Sequence, residues 1–279
     1  VVNEDTYSGI SFWNSQYIVL AGNGDPMVPF GFKGVDAGTA GIAVGVMSSD
    51  AEVAYCEVGN VHFAGIMAKT DPKCDDNSAW RENFTMKNLK IHHNYIHDTG
   101  GEGLYIGYTG GYETSKLVCS GKMVFGHLIE NIHIHDNRIE RTGWDGIQIS
   151  LGTGDVRIHN NTVIDWAVEK EPVQKFGFSI GGTNGAFYNN KLIQNKWFDT
   201  GNHGGQMISP IGDFYFYNNL IKNAAEHGVF VHVRLAKVDY SKGYYFFNNT
   251  IINTRKSSIH YNTGVPNSNQ QHLDMPNGF

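Results

Sequence analysis

The sequence predicts an all-β fold, a single-stranded right-handed parallel β-helix with three short strands per coil and an asparagine ladder. Three observations carry that expectation. First, an aliphatic or aromatic residue, two variable residues and an asparagine, followed two positions on by another aliphatic residue, recur as IHHNYI (91–96), IHDNRI (134–139), IHNNTV (158–163), FYNNKL (187–192), FYNNLI (216–221) and FFNNTI (246–251). The asparagines Asn94, Asn137, Asn161, Asn190, Asn219 and Asn249 are spaced by 43, 24, 29, 29 and 30 residues, and self-similarity at a period of roughly 20 to 50 residues marks stacked supersecondary units. Second, strand-like runs open ten residues after four of these asparagines, at Leu104, Ile147, Val229 and Ile259. After Asn161 and Asn190 the runs Phe178-Ser179-Ile180 and Met207-Ile208-Ser209 arrive at seventeen, which places a seven-residue insertion in the same loop of two coils. Third, the runs alternate with period two, as in Leu89 and Ile91 against Lys90 and His92, and no long stretch carries helical periodicity. Coils of about 29 residues are too short for propeller blades of roughly 40 to 45, and the handedness of parallel crossovers favours right-handed coiling.

Each element follows in order. Strand-like text begins at Ile10 to Trp13 and Tyr17 to Leu20, and VAYCEV (53–58) is an earlier copy with Cys56 in the asparagine position and Ile66 ten residues on. The first strands of the later coils are Leu104 to Gly107, Ile147 to Ser150, Phe178 to Gly181, Met207 to Pro210, Val229 to His232 and Ile259 to Asn262. The asparagine column belongs at a tight corner. Asparagine tolerates left-handed dihedrals better than any residue but glycine, and stacked amides can bond up the column. Its role is structural. The whole chain, 1–279, reads as one domain with loop insertions near 69–86, 108–128, 166–176 and 196–205. Cys56 is expected to be buried, whereas Cys74 and Cys119 lie in loops after successive first strands, a placement that suits a disulfide and an oxidising compartment.

Composition narrows the function. The formal net charge of -6 argues against nucleic acid, and no apolar run of membrane-spanning length occurs. Neither end shows a clear capping unit of the kind repeat stacks need, so missing flanks or self-association through uncapped ends is expected, and secretion or a cell-surface location fits.

With these motifs in place, residues 50 to 262 resemble the right-handed parallel β-helix repeat proteins of the pectate-lyase-like superfamily. The resemblance implies that substrates lie along the outside of the first-strand sheet and that the activity is directed at polysaccharides, by lyases, hydrolases or epimerases, or at binding by tailspikes and adhesins. Fold alone does not choose among them.

For chemistry, GGEGLYIG (100–107) and GWDGIQIS (143–150) put Glu102 and Asp145 in register one coil apart, about 4.8 Å between backbones. Paired carboxylates suit acid/base glycoside hydrolysis, and their repulsion would raise one pKa. Trp144-Asp145-Gly146-Ile147 echoes the Asn-Thr-Asp-Gly motif of polygalacturonase-like hydrolases, whose aspartate is a catalytic acid. The chain departs from that family in the next coil, where Phe176-Gly177-Phe178 stands in place of an Asp-Asp pair. Outward first-strand positions offer Tyr105, Gln148, Ser179, Phe230 and His260, with Trp144, His203 and His232 nearby as further substrate-binding candidates and His227 as an acid or base. No arginine or lysine is read on those outward positions, which weighs against a lyase or epimerase acting on an acidic polymer.

A rival surface is the second strand, with Lys90, His133, Arg157 and Tyr215 in one column and His92, His135, His159, Tyr188 and Tyr217 in the next. Flat stacking disfavours a zinc site there. No cofactor or metal is assigned, although the acids Asp71, Asp75 and Asp76 have the oxygen chemistry for calcium. The expectation is therefore a secreted protein cleaving a polysaccharide or oligosaccharide by acid/base hydrolysis, with a lyase or epimerase, or a non-catalytic carbohydrate-binding or filament-forming solenoid, as alternatives.

Overall fold

Alternation sorts side chains into core and surface along each strand. In the strand Thr85–His92, Met86, Leu89 and Ile91 are buried while Lys87, Asn88 and Lys90 are exposed. Asn88, at a φ of 52°, absorbs the extra residue that lets both flanking apolar sets face inward. A computed structural model describes residues 8–22, 32–35 (by backbone), 38–110, 117–195, 202–208, 211–232 and 243–262. Within them the chain is all-β, with three long parallel sheets of nine, eight and eight strands and one short antiparallel hairpin. Among the described residues no helix is long and apolar enough to cross a membrane.

The strands visit the three sheets in turn, and each pairs in parallel with its equivalents one repeat before and after, a pattern compatible with a β-helix. Leu104–Ile106 of the first sheet, for example, pairs with Ala64–Lys69 on one side and Ile147–Ser150 on the other. Inward positions therefore stack as columns, such as Ile66, Leu104, Ile147 and Phe178, all fully buried. One continuous apolar core runs through the stack from Ile42 to Val231. Removing a methylene from such close-packed columns is costly, because rigid neighbours above and below cannot collapse into the gap.

The asparagine column forms between the second and third sheets. Each side-chain amide donates to the next asparagine's Oδ1, at 3.0 Å for Asn94 to Asn137, 2.9 Å for Asn137 to Asn161 and 3.0 Å for Asn161 to Asn190. Each also donates to a carbonyl of the coil before, as Asn137 does to Ile91 at 2.9 Å. Cys56, fully buried, ends the ladder with its backbone N–H donating to Asn94 Oδ1 at 3.0 Å. One expectation needs correction. The left-handed residue is the one before each ladder asparagine: His93, Asp136, Asn160, Asn189, Asn218 and Asn248 have φ between 53° and 56°. Corner and ladder are two separate jobs, and the Asn-Asn pairs of the later coils supply one residue for each.

A second correction concerns register. The coil after Asn190 enters the first sheet as His203–Ile208, with Gly205 opposite both Phe178 and Val229 and Met207 opposite Ile180. The reading that aligned Met207 with Phe178 is two residues late, because two glycines, Gly204 and Gly205, hide the start of the strand from a hydrophobic pattern. Ser209 and Pro210, read as part of that strand, lie outside the described residues, as do parts of the insertions at 108–128 and 196–205.

The insertions at 69–86 and 108–128 leave the ends of neighbouring first-sheet strands and pack on each other. Cys74 and Cys119 are disulfide-bonded. Arg81 N–H donates to the Phe125 carbonyl at 3.0 Å, and Lys122 bridges to Glu82 at 2.7 Å while sitting over the Trp80 ring. The insertion at 166–176 runs into the first sheet at the start of Phe176–Gly181.

Candidate functional site

The X-Gly step before each first strand builds the site. A Cβ on Gly103 would lie 2.5 Å from Ile139 Cγ2 and 2.6 Å from the Gly146 carbonyl oxygen, and one on Gly146 would meet Val163 and Gly177 as closely. Only glycine fits against the third-sheet side chains there, and the residue before it takes the outer face. Glu102 and Asp145 occupy that position on adjacent coils, with Gly103 N–H donating to the Asp145 carbonyl at 3.0 Å. The column continues through Phe176, His203 and His227, since Gly146 bonds the Phe176 carbonyl, Phe176 pairs with His203, and Gly204 bonds the His227 carbonyl.

Both carboxyl groups are buried, Glu102 at 1% and Asp145 at 0% exposure. Asp145 Oδ1 accepts from the Phe176 backbone N–H at 2.8 Å. Its Oδ2 has no aligned partner, although the Ser179 hydroxyl is close enough to favour the charge slightly. Neither Glu102 oxygen has an aligned hydrogen-bond partner, its own backbone N–H giving only a poorly aligned contact, and Gln148 Oε1 and Ser150 Oγ on the neighbouring strand likewise lack aligned partners. Burying acceptors without donors is expensive, and it favours the protonated form of both groups. Burial pushes Glu102 up to about 7, opposed by a backbone bond and by the Lys69 charge. Burial likewise drives Asp145 well above the usual carboxylate range, against the Phe176 bond, and the Glu102 charge adds to the rise.

Lys69 is a residue that the sequence reading missed. It closes the strand Ala64–Lys69, in register with Gly45 and one position beyond Ala68, which pairs with Ile106. The statement that no lysine occupies the outward face is thereby corrected. The first-strand column had been read only from Leu104 onward, and carrying it one coil back to Ile66 would have exposed Lys69. Its Nζ sits 4.1 Å from the Tyr105 ring centroid and 3.0 Å from Asp71 Oδ2. Burial acts to lower its pKa, but Tyr105 and Asp71 outweigh that and leave the ammonium above its ordinary value. Gln206 was also missed, through the register error; it lies between Ser179 and Phe230 on the outward column and is buried.

Around the acids, Phe63 of the preceding coil lies over Gly101 and meets the Trp144 ring edge-on at 5.5 Å and the Tyr105 ring at 5.9 Å. Tyr105 and Gln148 are directly opposed. The other candidates gather farther along the sheet. His203 stacks between Phe176 at 5.0 Å and His227 at 5.4 Å, His227 stacks on His260 at 4.4 Å, and Phe230 touches His203, His227, His232 and His260. Burial, then the neighbouring His227, takes His203 down to about 3, and burial lowers His227 too. His227 Nδ1 accepts from Ser257 N–H at 3.2 Å, so the neutral ring carries its proton on Nε2 and is a donor there. His227 is thus three coils past Asp145 along the column, too far to share a reacting atom with Glu102.

The second-sheet column stacks as read. His92, His135, His159, Tyr188, Tyr217 and Phe247 lie ring on ring at 4.8 to 5.0 Å, with interplanar angles of 13° or less. These rings present edges to solvent rather than faces. Of the acidic loop, Asp71 is drawn to Lys69 and Asp76 accepts from Ser78 N–H at 2.9 Å. A cavity of about 440 Å³ lined by Asp98, Gly100, Arg141 and Glu169 lies at the turn into the first sheet, but it does not contain the two acids.

No protein-family model, no curated protein and no solved structure matches this chain.

Proposed function

We propose that this chain is a secreted right-handed parallel β-helix of the pectate-lyase-like kind that hydrolyses a polysaccharide on the outer face of its first sheet. The observation that carries the reading is the in-register pair Glu102 and Asp145, buried on that face with three carboxylate oxygens lacking an aligned protein donor. Such a site is short of hydrogen-bond donors, and sugar hydroxyls bring donors. Asp145, whose burial favours its protonated form, protonates the glycosidic oxygen as the leaving group departs. Glu102, with a pKa of about 7, acts as its ionised partner at the anomeric carbon. Carboxyl groups on adjacent coils are nearer the roughly 5 to 5.5 Å separation of retaining enzymes than the wider gap that admits an inverting water. Tyr105, Trp144 and Gln148 line the approach, and the sugar must part the Phe63, Tyr105 and Trp144 rings to reach the acids. His203, His232 and the neutral Nε2–H of His227 serve as hydroxyl-binding positions farther along the groove.

A second reading, a lyase or epimerase acting on an acidic polymer, is favoured by Lys69, a cation on the same face that could neutralise a uronate carboxylate. Asp145→Asn and Glu102→Gln, assayed for reducing-end release across a panel of neutral and acidic polysaccharides, test the first reading. Loss of release with unchanged circular dichroism supports it, and full activity in both variants removes the pair. Ultraviolet absorbance from an unsaturated uronate product would transfer the assignment to a lyase.

A further inference from the structure

The corner between the second and third sheets carries a separate cluster on the coils at 92–93 and 135–136. In the later coils the left-handed corner residue is asparagine, at Asn160, Asn189, Asn218 and Asn248. Three earlier coils depart from this, with Tyr55, His93 and Asp136, and the last two, on adjacent coils, are metal-ligand types. The left-handed turn at each swings the corner side chain back beside the strand-end histidine that precedes it. His93 Nδ1 lies 2.9 Å from His92 Nδ1, and Asp136 Oδ2 lies 2.8 Å from His135 Nδ1. The ligand atoms of His93, His135 and Asp136 all fall within 4.8 Å of one another.

The rings are also oriented from outside the cluster. His135 is clamped between His92 at 4.8 Å and His159 at 5.0 Å, and Tyr55, from the corner of the coil before, stacks on His93 at 4.9 Å. His93 meets His135 nearly edge to face, at 87°, so their nitrogens are not held parallel as in the flat stack. The flat column alone cannot converge on an ion, but the corner residues bend the donor set inward.

We propose that His93, His135 and Asp136, with His92 as the adjoining imidazole, bind one divalent transition-metal ion of the zinc class, clipping two consecutive coils together. Two or three imidazole nitrogens and one carboxylate form a borderline donor set that suits zinc and its neighbours and not calcium. Ligands at about 2.0 to 2.1 Å from such an ion lie roughly 3.4 Å apart in a tetrahedron, and the two exposed members, His93 and Asp136, can close that distance by side-chain rotation. The ring nitrogen that faces the ion gives up its proton, which the same imidazole then carries on its other nitrogen. The clip joins the coil that carries Glu102 to the coil that carries Asp145, at the far side of the stack, so it would fix the spacing of those two coils whatever reaction they perform.

Chelator-stripped protein titrated with Zn²⁺ or Co²⁺ tests this by calorimetry and, for cobalt, by visible absorption. The expected result is one ion per chain, visible d–d bands, and a melting temperature that rises with metal and not with Ca²⁺. The double variant His93→Asn and Asp136→Asn installs the residue that the later coils use at the same corner, so it keeps the fold. It should retain the metal-free melting temperature and lose the metal-dependent rise, with affinity weakened at least about tenfold, in line with ligand-shell losses. His203→Ala, outside the cluster, should bind as the parent does. Absence of binding, or binding unchanged in the double variant, would overturn the proposal.

Discussion

The outer faces of the first and second sheets are built from the same device, in-register columns one strand spacing apart, yet they behave differently. On the second sheet, charged and aromatic groups find partners within the column. His133 and Arg157 share Asp155, Lys90 and His92 share Glu52, and six rings stack on one another. On the first sheet, Glu102 and Asp145 are buried with little to bond to, and His203 is forced to stay neutral far below its usual range. Desolvation is the largest cause of all three shifts. Stacking brings like groups together on either face, but only exclusion of water turns a column into strained chemistry.

That contrast can be broken most forcefully at Asp145. Asp145→Asn is expected to reduce sugar release by about 100- to 10,000-fold, the usual worth of a general acid, while Tyr188→Ala on the second sheet leaves release within a factor of about two. The opposite ranking in a reducing-sugar assay would move the reactive face to the second sheet.

Next in size is the stability stored against Glu102. Its folded pKa of about 7 exceeds the ordinary 4.5, so the folded chain keeps a proton that the unfolded chain releases. Stability therefore falls as pH rises from about 4.5 to about 7 and then levels off. Glu102→Gln should relieve about 3 kcal/mol above pH 7 and almost none at pH 4, from the shift at about 1.4 kcal/mol per unit. The exposed pair of Glu52 with Lys90 should by contrast contribute below about 1 kcal/mol at either pH. Urea melts at the two pH values measure both, and equal gains would show that burial of Glu102 makes no difference.

Third, Tyr188→Ala should cost about 2 kcal/mol, because the ring loses stacking on His159 and Tyr217 together with its buried area. A neutral result in thermal or urea melts would mean that the second-sheet ladder is decorative. The smallest effect is at Lys69. Lys69→Gln removes a charge that favours ionised Glu102, and the Glu102 carboxyl, followed by carbon NMR, should titrate higher by less than about one pH unit. A downward movement would show that Lys69 acts on Glu102 only through packing.

Much of this was legible in the text of the chain. Asn94 to Asn249 named the ladder, and the shared spacing from Asn94 to Leu104 and from Asn137 to Ile147 put Glu102 beside Asp145. Glycine-rich strands were the weak point. Gly204 and Gly205 concealed the start of His203–Ile208 and with it Gln206. Lys69 was overlooked because the outward positions were read only from Tyr105 onward, although Ile66 was already placed on the coil before. The split of labour at the corner was invisible in Asn-Asn pairs, where both jobs fall to the same residue type, and it shows only where His93 and Asp136 break the pairing.

By itself the sequence determined the period, the core columns and the coil-to-coil neighbours, because parallel stacking at one strand spacing converts distance along the chain into registration in space. Tertiary structure alone decided which column is dry. Phe63, Tyr105 and Trp144 gather beside the acids, and Phe176, His227 and Phe230 crowd His203, and no local pattern encodes that packing. The raised carboxyls of Glu102 and Asp145 and the neutral ring of His203 are consequences of it, since a pKa responds to the whole surrounding dielectric and not to neighbours in the text.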